Sequence, residues 1–133
     1  MDKLSQKKLR LQLLQLGAVP GLKGFDVMRE ALTVLMCDDS EPEMGLYDKV
    51  ADRLGVTAIQ VQRNLRHMHE KIKRSPGPLY HELEKAIGLS NLHNLPMLQF
   101  LAVVTEWLLI NREDRDVDVL VREITEEQAL RGK

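Results

Sequence analysis

Apolar residues recur at three- and four-residue steps along almost the whole chain, and the apolar–polar alternation of a half-buried strand is nearly absent. Such a chain hides its apolar stripes only by packing helix on helix, so the expected fold is all-α: a compact helical domain of about six helices. Leu4, Leu9, Leu11, Leu13, Leu14 and Leu16 form a first helix, ended by Gly17 and Pro20. A second, from about Leu22 to Cys37, sets Phe25, Met28, Leu32, Leu35 and Met36 near one face and runs into the acidic stretch Asp38-Asp39-Ser40-Glu41-Pro42-Glu43. A third runs from about Leu46 to Leu54, with Gly55 as a left-handed cap. Thr57 caps a fourth, which carries Ile59, Val61, Leu65, Met68 and Ile72 to about Arg74, where Ser75-Pro76-Gly77-Pro78 breaks it. A fifth, Leu79 to Ile87, is stopped by Gly88 and leads through a polar loop to a core helix from Met97 to Ile110, with Asn94 as its cap and Pro96 in its first turn.

At 133 residues the chain is long enough to bury about two thirds of its unfolded surface without a disulfide scaffold. Apolar residues are 44% and charged residues 29%, which excludes disorder across the whole chain. The most apolar stretch, Met97 to Ile110, contains Glu106 and is shorter than the roughly 20 residues a membrane span needs, so no membrane association is expected. The N-terminus lacks the apolar run of a signal peptide, and the single cysteine, Cys37, forms no internal disulfide; a cytoplasmic location is expected. Residues 1–110 are read as one domain. Residues 111–133 are read as a charged C-terminal extension, helical or partly mobile, because Asp116 to Val121 alternates while Leu120, Ile124 and Ala129 lie near helical spacing.

The segment from Tyr47 to Glu70 carries the most specific signal. Ala51, Gly55 and Val61 stand four and six residues apart between two helical patterns, the spacing of a helix-turn-helix. Ala51 supplies the small side chain that two crossing helices need at close approach, and Gly55 the residue that tolerates positive φ in a tight turn. Val50, Leu54, Val56, Val61 and Leu65 are expected to fill the core beneath the pair. The second helix then offers Gln60, Gln62, Arg63, Asn64, Arg66 and His67, side chains of the donor and acceptor types that read base edges in the major groove. Lys49, Lys71, Lys73 and Arg74 are the expected phosphate contacts.

The net charge of −1 would by itself argue against a nucleic-acid partner, but its distribution does not. From Leu46 to Arg74 seven cations (Lys49, Arg53, Arg63, Arg66, Lys71, Lys73, Arg74) face three anions (Asp48, Asp52, Glu70), whereas Phe25 to Gly45 carries a surplus of five negative charges. The cationic segment is the one that the turn signature nominates.

Leu16-Gly17-Ala18-Val19-Pro20, Leu22-Lys23-Gly24-Phe25 and Met28-Arg29-Glu30-Ala31-Leu32 resemble the C-terminal DNA-binding domain of the stage 0 sporulation protein A family of response regulators. The resemblance continues through Leu46-Tyr47-Asp48-Lys49-Val50-Ala51 and through Thr57, Ala58, Val61, Arg63, Arg66, His67 and Glu70, covering roughly Leu13 to Arg74 and, loosely, the two helices to Ile110. It implies a six-helix effector domain of a bacterial transcription regulator, with Arg63, Arg66 and His67 facing DNA. Gln60 stands where the family has Arg and Gln62 where it has Glu, so the family's base preference is not carried over. Only 16 residues precede Gly17, so control through a phosphorylated receiver domain is not expected.

The expected function is therefore a sequence-specific DNA-binding transcription regulator that reads the major groove with the helix spanning residues 57–74. Its expected partners are double-stranded DNA, RNA polymerase and a second copy of the chain on DNA. The alternative is a protein–protein interaction module whose helix-turn-helix does not bind DNA. Enzyme activity is not expected, nor is a cofactor or a metal: Cys37, His67, His69, His81 and His93 are scattered, His67 and His69 point to different sides of one helix, and the glycines follow no phosphate-loop pattern. Cys37, at the end of an amphipathic helix, is expected to be a buried small hydrophobe.

Overall fold

The computed structural model describes residues 3–37 and 45–114, which form seven helices and no strand. They are α1 (Lys3–Leu16), α2 (Lys23–Cys37), α3 (Leu46–Leu54), α4 (Ala58–Arg74), α5 (Pro78–Ile87), α6 (Leu89–Asn94) and α7 (Met97–Asp114). The acidic stretch 38–43 and residues 115–133 of the expected extension lie outside the described residues.

Helix α2 is the hub, packed against α1, α3, α4 and α7. Its buried side is unusually broad, running from Gly24 and Phe25 through Val27, Met28, Ala31 and Leu32 to Val34. Gly24 marks the closest approach to α4: a Cβ there would lie 2.7 Å from the Asn64 carbonyl oxygen and 3.0 Å from the Met68 Cβ. The seam between α2 and α4 therefore admits a hydrogen at this position and not a methyl group. Helix α4 contributes Val61, Leu65, Met68 and Ile72, all with no exposed surface, each worth roughly 1.5–3 kcal/mol of apolar burial. Phe100, Leu101 and Val104 of α7 close the core from the other side.

A polar network ties α1 and α3 to the hub. Arg29 donates to Gln6 Oε1 of α1 at 2.7 Å, the Gln6 amide donates to Thr33 Oγ1 at 3.2 Å, and the Thr33 hydroxyl donates to the Arg29 carbonyl at 2.8 Å. Beside it, with a carboxylate oxygen 3.9 Å from the Arg29 guanidinium, the buried Glu30 accepts from Arg53 of α3. A carboxylate taken out of water is costly unless paired, so Glu30 holds α3 against α2 through a charge-assisted bond.

At its C-terminal end α1 is held by the buried Leu13 and Leu16 and by a backbone bond. Gly77 donates to the Leu16 carbonyl at 3.1 Å, across 61 positions of sequence. The contact leaves no room for side chains: a Cβ on Gly77 would lie 2.2 Å from the Gln15 carbonyl oxygen, and one on Gly17 2.7 Å from that of Ser75.

Several expectations change. The chain between Gly88 and Asn94, expected as a polar loop, is the short helix α6, anchored by the fully buried Leu92. Asn94 ends that helix instead of capping the next, and the Pro96 carbonyl accepts from Phe100 at 2.9 Å at the start of α7. Helix α7 passes the expected stop at Ile110 and continues to Asp114. Leu35 is exposed instead of lying on the buried face of α2, and Cys37 at the end of the same helix is exposed, not buried. No helix among the described residues is long and apolar enough to cross a membrane.

Candidate nucleic-acid interface

The candidate site is built on α3, α4 and the three residues between them. Gly55 takes φ +69° and ψ +36°, the left-handed conformation that a residue with a Cβ adopts only at a cost. Two of the turn's three N–H groups fold back on one acceptor: Gly55 and Val56 donate to the Ala51 carbonyl, Val56 at 3.0 Å. Thr57 then starts α4 with a reciprocal capping box, its hydroxyl accepting from the Gln60 N–H at 3.1 Å while the Gln60 side chain accepts from the Thr57 N–H at 3.0 Å. Satisfying two orphan donors in this way is worth about 1 kcal/mol and fixes the direction in which α4 leaves the turn.

From that start the helix divides cleanly. Val61, Leu65, Met68, His69 and Ile72 are buried, and on the opposite side Ile59, Gln62, Arg63, Arg66, His67 and Glu70 line an open groove of about 480 Å³. These six positions follow the three-and-four spacing of one helical stripe. Arg63, Arg66 and His67 are exposed, and Arg63 and Arg66 enter no ion pair among the described residues. No carboxylate lies in the first turn of α4, so the helix supplies no charge of its own to offset the positive end of its dipole.

Four of the six expected base-reading residues, Gln62, Arg63, Arg66 and His67, thus share one surface. Gln60 does not join them: its side-chain oxygen is engaged in the capping box. Asn64 is half-buried on the flank that meets α2. Ala51 and Val61 are buried as expected, whereas Val56 is 40% exposed, because folding its N–H back onto Ala51 leaves the side chain outside the core. Ile59 belongs to the groove and not to the apolar face; at 68% it is the most exposed of the large apolar side chains described.

The expected phosphate contacts divide too. Arg74 is exposed, and Lys71 is half-buried. Lys73 is half-buried and paired with Glu70 at 2.9 Å; that bond and the charges of Lys73 and Arg74 hold the Glu70 carboxyl below the usual range. Lys49 is half-buried on α3 and lines no part of the groove. Arg53, counted among the cations of this segment, is engaged by Glu30. The cluster Lys71, Lys73 and Arg74 also complements the C-terminal end of the helix dipole, a stabilising role independent of any ligand.

Behind the groove, His69 lies flat on Phe100 of α7, ring centroids 4.5 Å apart, and Phe100 in turn meets Tyr80 of α5 at 6.1 Å. Burial is the main cause that lowers the His69 pKa to about 4, reinforced by Lys73 and His93 and opposed by Glu70. His67 and His69 therefore sit on opposite sides of α4, one exposed and one buried. No group of three His, Cys, Asp or Glu side chains that could hold a metal occurs among the described residues. Compared with known protein families, with curated proteins and with solved structures, the chain has no match.

Proposed function

We propose that the chain is a sequence-specific DNA-binding transcription regulator that lays α4 in the major groove. One observation carries the reading: Gln62, Arg63, Arg66 and His67 share an open stripe on a helix whose opposite side is locked into the core, directly after a three-residue turn. Arginine offers a fork of donors to two acceptors of guanine, and glutamine bonds adenine in the same two-point fashion. A fixed helix presenting such groups can hold them in one register along a duplex. The resemblance to the sporulation effector domain points the same way, through Arg63, Arg66 and His67.

The reading is tested by selecting bound duplexes from a random pool at physiological salt. Enrichment of a defined site is expected, and Arg63→Ala and Arg66→Ala each weaken binding to it by roughly 1–3 kcal/mol while leaving the fold unchanged, since both side chains are exposed. Unaltered affinity in both variants would sink the assignment of α4. One α4 covers a single half-site, so a pair of copies on sites one helical turn apart, about 34 Å, is the expected bound form. Contact with RNA polymerase through the acidic 38–43 stretch involves residues outside those described.

The second reading, a helical protein-interaction module, draws on a different surface. Leu11 and Leu14, one turn apart on α1, are 51% and 43% exposed. The two readings part on salt: binding through phosphates weakens steeply as salt rises, whereas binding through an apolar α1 surface does not.

A further inference from the structure

Ile59 stands out from the groove it belongs to. The other five lining side chains, Gln62, Arg63, Arg66, His67 and Glu70, are polar, and Ile59 alone is aliphatic. It occupies the first turn of α4, two residues past the Thr57 cap, and leaves 68% of its surface in water. A scattered exposed apolar residue needs no explanation. This one, however, lies on the stripe that carries Arg63 and Arg66, at the N-terminal end from which a recognition helix reaches base edges. Among the groups displayed in the major groove, the 5-methyl of thymine is the apolar one, and an aliphatic side chain at groove depth has it as its natural contact.

We propose that Ile59 is a specificity-determining residue that packs against the 5-methyl group of a thymine in the major groove. The proposal rests on the DNA-binding reading of α4 and adds one base identity to it: a thymine at the end of the half-site read by the first turn, followed by the positions faced by Gln62, Arg63 and Arg66. The capping box fixes the backbone of this turn, so Ile59 meets the same position in every complex instead of sampling several.

The test takes the duplex enriched from a random pool and replaces its thymines one at a time by deoxyuridine, which keeps the hydrogen-bonding edge and removes only the methyl group. With the wild-type chain one such replacement is expected to weaken binding about four-fold, the worth of one buried methyl group. In Ile59→Ala that penalty disappears, and affinity for the thymine duplex falls by about the same factor, with thermal unfolding unchanged. Val56→Ala, which trims another exposed aliphatic residue just before α4, leaves the penalty intact. A selected site in which no thymine-to-uracil change matters, or in which the penalty persists in Ile59→Ala, overturns the thymine contact while DNA binding stands. A wild-type chain that enriches no sequence and binds no duplex overturns both.

Discussion

His69 is buried to 3% exposure, stacked on Phe100, with its Nε2 lacking a hydrogen-bond partner among the described residues. Its neutral form is the one the fold accommodates, with a pKa near 4 against 6.5 in an unfolded chain. Well above pH 6.5 neither state binds the proton and His69 adds no pH dependence. As the pH falls from 6.5 toward 4 the unfolded chain takes up a proton that the folded chain refuses, and stability drops by up to about 1.4 kcal/mol per pH unit, roughly 3 kcal/mol in all. Denaturant unfolding at pH 7, 5.5 and 4, followed through the single tryptophan, Trp107, should show this loss, and His69→Leu should remove most of it. An equally steep loss in the variant would place the acid sensitivity elsewhere. The burial of His69 was legible in principle, since Leu65 and His69 are four apart on the face that Val61, Met68 and Ile72 define; ranking histidine as polar hides it. Ile59 fails in the opposite sense. It is apolar, but two residues before Val61 it faces the other side of the helix.

At the scale of elements, the turn between α3 and α4 was readable because its chemistry is local: Gly55 for the left-handed corner, Thr57 for the cap. No atom lies within 4 Å of where a Gly55 Cβ would stand, so a Cβ there has space and the cost of adding it is backbone strain. Gly55→Val should lower stability by about 1–3 kcal/mol, and Gly55→Asn by clearly less, because asparagine enters the left-handed region more readily. Equal melting temperatures for Gly55→Val and wild type would contradict the turn. Gly77 is the converse case, limited by space and not by φ. Gly77→Ala should cost at least as much as Gly55→Val, and hydrogen exchange should locate the damage at the end of α1, where the Leu16 carbonyl loses its partner. Nothing in the sequence shows that Gly77 meets Gln15, because the contact joins segments 62 positions apart. The pairing of Glu30 with Arg53 is hidden for the same reason, and α6 because six residues are too few to show a periodic pattern.

For the molecule as a whole, the folded arrangement refines the charge segregation seen along the chain. Arg53 and Lys73 are held by Glu30 and Glu70, while Arg63, Arg66 and Arg74 stay exposed on α4. Under the proposed reading, the logarithm of DNA affinity should fall linearly with the logarithm of salt at about −0.9 per phosphate neutralised. Arg74→Ala, at the end of α4, should reduce that slope by about one unit while weakening all sequences alike, whereas Arg63→Ala should relax the sequence preference. A slope that Arg74→Ala leaves unchanged would remove Arg74 from the phosphate contacts.

The bond between Leu16 and Gly77 brings the two ends of the α2–α3–α4 segment to one point. Topologically, that segment is a closed loop whose entry and exit coincide, and the chains leading away from it, α1 and α5, run side by side. Its two ends lie one hydrogen bond apart, so the turn and its helix are joined to the rest of the chain through two adjacent connections.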